Sequence, residues 1–344
     1  MDVLDASDSR LAKLTQWVIE DLGFDGAAIA PASVDASFRR YFRVTRDSDT
    51  YIVMDAPPDK EDSAPFLKVA RILGSMDLNV PIVLARDMER GFLLLSDLGS
   101  RQYLDALPED GAADELYGDA LDALRTMQTT DTPAARDLPR YDRALLLREM
   151  ELLPEWFLHR HLGFRIAASE RTMLDQLFDS LVRAALAQPA TFVHRDYHSR
   201  NLLVTPQNTP GILDFQDAVW GPVTYDLASL LKDCYIAWPS GRVSEWVLEY
   251  RESLLAAGFK LDADAAQFLR WFDLMGLQRH IKVLGIFARL FYRDGKSQYL
   301  RDLPRVLDYV RDTAARYAET RNFADFIVKR IDLEFEGAQR RALA

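Results

Sequence analysis

The chain carries a single cysteine, Cys234, in 344 residues, which excludes an internal disulfide and a metal site built from thiolates alone. It is also short of positive charge. Its 42 Lys and Arg stand against 53 Asp and Glu, a net charge of −11, so the basic footprint that non-specific nucleic-acid binding needs is missing. No apolar run is long and charge-free enough to span a bilayer, since even "IKVLGIFARLFY" is broken by Lys282 and Arg289. The opening "MDVLDASDSR" has neither the basic start nor the apolar core of a signal peptide. Internal repeats and low-complexity segments are absent as well. The expectation is a soluble cytoplasmic protein with no nucleic-acid, membrane or protein partner.

What is present is an apolar fraction of 49%, enough for a packed interior, in a chain too long for most single cores. After an amphipathic opening helix, "SRLAKLTQWVIEDL", the periodicity changes. The segments "SFRRYFRV", "TYIVMDA", "IVLARD" and "GFLLL" are short, β-branched or aromatic, and separated by turn-formers. Between the second and third, "SAPFLKVARILGSM" has apolar residues at helical spacing. From Asp97 onward the pattern is helical almost throughout, in segments that include "DRALLLREMELLPEWFLHRHL" and "DLASLLKDCYIAW". The exception is "FVHRDYHSRNLLVTPQNTPGILDFQD", where "FVHRD" reads as a strand end and "LLV" and "ILDF" flank a turn as a small hairpin. The expected fold class is α+β, with residues 1–96 a helix plus antiparallel sheet and residues 97–344 a large helical lobe, hinged at "LLLSDLGS". A boundary between two lobes is a usual place for a small ligand.

In the exceptional stretch, Asp196, Asn201 and Asp214 are oxygen-bearing side chains set between apolar runs. Their spacing lets the three converge. A hard divalent ion such as Mg²⁺ takes only one or two protein oxygens when substrate phosphates supply the rest, and Asn201 and Asp214 suit that task. Asp196 is then available to accept a proton from an attacking hydroxyl, the remaining part that phosphoryl transfer needs. Ordinary turn chemistry also favours Asp and Asn in loops, but the shared spacing and the apolar flanks weigh against it.

These residues carry a family resemblance. "HRDYHSRN" (His194 to Asn201) resembles the kinase loop H-R-D-x-x-x-x-N, and "LDFQD" sits where kinases carry D-F-G. With Gln216 in place of Gly and a long helical part, the chain resembles the aminoglycoside phosphotransferase branch of the two-lobed protein-kinase-like fold. Within that branch, "VHRDYHSRNLL", "ILDFQDAVWGPVTYDLASLLKDCYIAWP" and "MGLQRHIKVLGIFARLFYRDGKSQYL" together resemble the bacterial cell-wall sugar kinases that phosphorylate the anomeric hydroxyl of N-acetylmuramate and N-acetylglucosamine. The resemblance implies ATP and Mg²⁺ as cofactors, Asp196 as catalytic base, Asn201 and Asp214 as metal ligands, and His194 as support for the loop. It implies adenine binding at the backbone of Ser96, Asp97 and Leu98, and a phosphate cover in the hairpin containing "DASFRRYF".

The match departs from the kinase pattern at the triphosphate. Met54 or Asp55 stands where the phosphate-binding Lys is expected, and "APFLKVARIL" contains no Glu to pair with it. There is no G-x-G-x-x-G either, which leaves backbone amides near Ala36 and Ser37. The cationic candidates are Arg39, Arg40 and Arg43, with Lys60 and Lys68 nearby, and strand alternation puts Arg40 on the face opposite Arg39 and Arg43. Arg40 or Arg43 is the expected phosphate contact, though for any single one of these arginines an exposed strand position is the commoner reading.

On the acceptor side, "GLQRHIKVLGIFAR" places Gln278, Lys282 and Arg289 along one helical face with Arg279 and His280 adjoining. By spacing alone this is a solvated face or a substrate contact. The resemblance favours Arg279, His280 and Lys282 as contacts to a sugar carboxylate, with His198, Arg200 and Asp217 close to the same point. The expected function is phosphorylation of an N-acetyl amino sugar to its 1-phosphate in cell-wall sugar recycling. The alternatives are another small acceptor, such as an aminoglycoside or a choline-like amine, or a nucleotide-binding pseudokinase without the Lys–Glu pair.

Overall fold

The structure is a computed structural model that describes residues 9–34, 38–109 and 111–343. The chain divides into two compact units, residues up to Arg101 with Leu203–Asp217, and Gln102–Leu202 with Ala218 onward.

The first unit opens with α1 (Ser9–Gln16), continued by one π-helical turn, Trp17–Asp21. A five-stranded antiparallel sheet follows, made of β1 (Ala28–Val34), β2 (Arg40–Arg46), β3 (Asp49–Asp55), β4 (Val83–Asp87) and β5 (Phe92–Ser96), in the order β1-β2-β3-β5-β4. Between β3 and β4 runs α2 (Ala64–Gly74). Alternation along the strands builds the core. Phe42 and Val44 of β2, Val53 of β3, and Phe92 and Leu94 of β5 point one way, and Leu14, Trp17 and Val18 cover them. The first strand was not legible, because "AIAPASV" contains a proline; β1 is an edge strand, where the missing N–H is tolerated. The second strand begins at Arg40, later than "SFRRYFRV" suggests, and Ala36 and Ser37 lie outside the described residues.

The second unit contains α3 (Tyr103–Ala106), α4 (Ala112–Thr129), α5 (Pro133–Arg136), α6 (Arg143–Met150) and α7 (Ala168–Leu186). Strand β6 (Ala190–Val193) follows. The hairpin strands β7 (Leu202–Leu203) and β8 (Gly211–Ile212) come next, and then β9 (Val219–Pro222), which pairs antiparallel with β6. The chain closes with α8 (Tyr225–Leu231), α9 (Ser240–Ala256), α10 (Ala265–Asp294), α11 (Leu303–Arg316), α12 (Arg321–Phe326) and α13 (Asp332–Leu343). The 30-residue α10 is the axis of this unit, packed by α6 to α9 and α11 and buried on every side over its middle. Gly285 permits one of these approaches, since a Cβ there would fall 2.4 Å from the carbonyl carbon of Leu152.

Three expectations change. "DRALLLREMELLPEWFLHRHL" is not one α-helix; α6 stops at Met150 and a π-helical segment, Leu153–His161, follows, with Pro154 lacking the N–H that a continuous ladder needs. "DLASLLKDCYIAW" is helical only to Leu231, because the Asp233 carboxylate accepts the N–H groups of Ser199 and Tyr235, both at 2.9 Å, and draws the chain out of the helix. The hairpin, counted from sequence with residues 97–344, packs with the first unit. Ile212 N–H donates to Asn79 O at 2.8 Å, and the Asn79 amide donates to Thr205 Oγ1 at 3.2 Å.

Candidate active site

Strand β6 ends at Val193, and the loop His194–Asn201 leaves it in a conformation no helix or strand offers. Arg195 has φ 79°, a left-handed value that a non-glycine residue adopts only when its surroundings hold it there. Two carboxylates hold it. Asp226 of α8 accepts the N–H of His194 at 2.6 Å and that of Arg195 at 2.9 Å, while the Arg195 guanidinium pairs with Glu149 of α6. The loop is then closed internally: Asp196 N–H donates to His194 Nδ1 at 3.3 Å, and Asn201 Nδ2 donates to Asp196 O at 3.0 Å. That last bond turns the nitrogen end of the Asn201 amide toward the loop and its oxygen end the other way.

The Asp196 carboxyl lies among basic side chains. Burial pushes its pKa up, but Lys282, His198, Arg195 and Arg279 outweigh burial and hold it below the usual carboxylate range. Asp196 is therefore an ionised carboxylate in a low-dielectric setting, the state a proton acceptor requires. Asp226 differs. Burial raises its pKa to about 7, against the two loop N–H groups that favour its anion.

The Glu149 carboxylate is the hub behind the loop. It pairs with Arg195 and with Lys282 at 2.9 Å, and it accepts the Tyr141 hydroxyl. Burial pushes its pKa up, yet Lys282 and Arg195 carry it below the ordinary value. Lys282 also donates to Tyr225 Oη at 3.2 Å.

The α10 segment chosen from sequence is not a solvated face, for Gln278, Arg279, His280 and Lys282 are all buried. Consecutive residues on a helix point about 100° apart, and these reach different places. Gln278 and Lys282, one turn apart, both approach Glu149. His280 stacks on Tyr309 with ring centroids 4.7 Å apart and donates Nε2–H to Lys232 O at 2.9 Å, and burial lowers its pKa to about 3. Arg279 lies against Cys234 Sγ at 3.4 Å. Of the other expected contacts, Arg200 stacks on the Tyr235 ring, 3.6 Å from its centroid, His198 meets the same ring edge-on at 5.5 Å, and Asp217 is exposed.

In the first unit, Asp214 has φ 62° and its Oδ1 accepts Gln216 Nε2–H at 2.6 Å. The adjoining Phe215 packs on Phe66 of α2, ring centroids 4.9 Å apart. After β5, Arg43 donates to the two Asp97 carboxylate oxygens at 2.6 and 3.1 Å and to Gly99 O at 3.2 Å. Burial raises the Asp97 pKa, but Arg43, the Gly99 N–H and Thr50 bring it below the ordinary value. Ser96 exchanges hydrogen bonds with Ile82 through its N–H, 2.9 Å, and its Oγ, 2.8 Å, and Leu98 lies beside Gly211. The guanidinium of Arg40 donates to Asp55 Oδ2 at 3.0 and 2.6 Å, opposite Arg10 on the other carboxylate oxygen. Arg40 and Arg43 thus each hold a carboxylate. Arg39 pairs with Glu61 at 3.1 Å, ahead of α2 rather than on it.

Sequence reasoning did not find Glu149, Asp226, Asp233 or Tyr235. A signal existed for Glu149 and Asp226, since "LLLREMELL" and "VTYDLASLL" set them inside apolar runs, where burial demands a partner.

The chain is similar to known proteins along most of its length. Residues 28–272 match the model of the phosphotransferase enzyme family (APH). The chain is 49% identical to the N-acetylmuramate/N-acetylglucosamine kinase of Pseudomonas aeruginosa and 45% identical to that of Pseudomonas putida, each over 94% of this chain and 97% of the relative. Among solved structures, the gentamicin complex of APH(2″)-IIa has the same fold, with a TM-score of 0.61 at 13% identity over 89% of this chain and 97% of that one. A strained loop clamped by Glu149 and Asp226, an ionised Asp196 at its centre, and this likeness along nearly the whole length lead to one assignment: the chain is an enzyme belonging to the phosphotransferase enzyme family.

Proposed function

We propose that the protein transfers the γ-phosphoryl group of ATP to the anomeric hydroxyl of an N-acetyl amino sugar, N-acetylmuramate or N-acetylglucosamine, giving the sugar 1-phosphate in cell-wall sugar recycling in the cytoplasm. The observation that carries this reading is Asp196, an ionised carboxylate fixed on a clamped loop, in a chain nearly half identical to kinases named for those two sugars.

An anomeric hydroxyl is more acidic than an ordinary alcohol, so a carboxylate suffices as its base. Asp196 accepts the hydroxyl proton as the oxygen bonds to the γ-phosphorus, the bond from that phosphorus to the β,γ-bridging oxygen breaks, and ADP departs with the bond's electrons. Asn201 and Asp214 offer the hard oxygen donors that Mg²⁺ takes from a protein, and the ion, when bound, neutralises phosphate charge. Ser96, Asp97 and Leu98 present the backbone that receives adenine, and the Arg43–Asp97 pair braces it. Ser37 and Arg40 remain the proposed neighbours of the phosphates, with Arg40 already holding Asp55. Lys282 acts on the sugar side through Asp196, whose charge it favours.

The test combines ADP release with phosphorus NMR of the product, using each sugar, ATP and Mg²⁺. Coupling of the new phosphorus to the anomeric proton is the expected result. Asp196→Asn keeps nucleotide affinity and lowers turnover by about 100-fold to 10,000-fold. A product phosphorylated at another carbon, or an Asn variant with undiminished turnover, contradicts the proposal.

A further inference from the structure

We propose that Arg279 and Arg200 form a carboxylate-binding subsite beside Asp196 that makes the enzyme favour the acidic sugar, N-acetylmuramate, over N-acetylglucosamine. The proposal rests on the sugar-kinase reading above and assigns the feature that separates its two substrates, since N-acetylmuramate differs from N-acetylglucosamine by an ether-linked carboxylic acid.

Arg279 is 4% exposed. A guanidinium has five donors, yet among the described residues its one hydrogen bond is to Cys234 Sγ at 3.4 Å, a weak acceptor. A buried arginine so poorly supplied with acceptors is costly unless an anion arrives to complete its shell. The nearby acids are committed elsewhere: Asp233 spends its two oxygens on the N–H groups of Ser199 and Tyr235, and Asp196 is the proposed base. Cys234 remains a neutral thiol, because burial pushes its pKa to about 11.

The residue after Cys234 holds the second cation. Arg200 lies over the Tyr235 ring with its guanidinium carbon 3.6 Å from the centroid, and among the described residues it makes no hydrogen bond or ion pair. Stacking fixes the plane of the guanidinium while its N–H edges stay available, the arrangement that suits a planar carboxylate. His198 packs edge-on against the same ring at 5.5 Å, and its Nδ1 has no hydrogen-bond partner among the described residues. Burial lowers its pKa, and the charges of Arg279 and Arg200 add to that effect. Residues 234 and 235 therefore present two arginines and an imidazole to one region beside the base, with the arginines held from behind by sulfur and by an aromatic face. The α10 cluster expected from sequence narrows accordingly, since His280 and Lys282 are engaged with Lys232 and Tyr309, and with Glu149 and Tyr225.

The experiment measures kcat/KM for both sugars on the full chain. Arg279→Gln and Arg200→Gln each lower the ratio of N-acetylmuramate to N-acetylglucosamine kcat/KM by about 10-fold to 100-fold, the worth of a charge-assisted hydrogen bond, and Arg279→Lys recovers part of it. On the unaltered protein, the methyl ester of N-acetylmuramate is a poorer substrate than the acid by a similar factor, a result independent of whether any variant folds. Turnover of both sugars with an unchanged ratio in the variants, or an ester as good as the acid, overturns the subsite alone. Turnover of neither sugar by the unaltered chain overturns the sugar-kinase reading and the subsite with it.

Discussion

Replacing Glu149 with Gln removes a carboxylate that two buried cations share. The Glu149 side chain is 7% exposed, and its partners Arg195 and Lys282 are 17% and 10% exposed, so solvent cannot take over their neutralisation. At an effective dielectric near 20, the Lys282 contact alone carries about 6 kcal/mol of attraction before desolvation is counted. Breaking a buried pair by removing one partner has a net cost of about 3 to 5 kcal/mol, which corresponds to a fall in Tm of about 6 to 20 °C for a unit of this size. The substitution also takes the Glu149 anchor from the Arg195 side chain, whose left-handed backbone it helps to hold, so kcat falls along with stability. The pH dependence has a definite sign. The folded pKa of Glu149 is depressed, so its contribution is full above the unfolded value, near 4, and is lost as pH falls through the folded value. Urea unfolding at pH 7.5 and at stepwise lower pH, with parent and variant side by side, reads both effects. A Gln variant within 1 kcal/mol of the parent at neutral pH refutes the reasoning.

The remaining predictions concern the loop clamp and the helix packing. Asp226 has a folded pKa raised to about 7, so its contribution is present below the unfolded value and is lost as pH rises through the folded one. Across pH 4 to 7 the stability of Asp226→Asn should rise relative to the parent by up to about 1.4 kcal/mol per pH unit, and a constant difference between the two unfolding curves would show that burial does not raise this pKa. Gly285→Ala places a methyl 2.4 Å from the backbone of Leu152 and destabilises by about 3 kcal/mol, whereas Gly337→Ala meets only the flexible end of Arg341 and is neutral or mildly stabilising. Thermal melts of the two variants compared with the parent decide this, and equal shifts would mean that α10 does not pack as closely as described.

The sequence by itself determined the elements whose periodicity is set locally. The sheet of the first unit was readable because short β-branched or aromatic segments alternate with turn-formers, and Asp196, Asn201 and Asp214 stood out because polar residues at fixed spacing interrupt apolar runs. Tertiary structure alone decided the partners. Glu149 lies 46 positions before Arg195 and 133 before Lys282 in the chain, so nothing local announces that one carboxylate neutralises both. The same holds for Arg279, which in sequence is one more cation on a helix with Gln278 and Lys282. Only the burial of α10 on all sides turns it from a solvated charge into a guanidinium facing a sulfur, because the energy of a charge depends on how far water has been excluded from it and on which groups folding brings near.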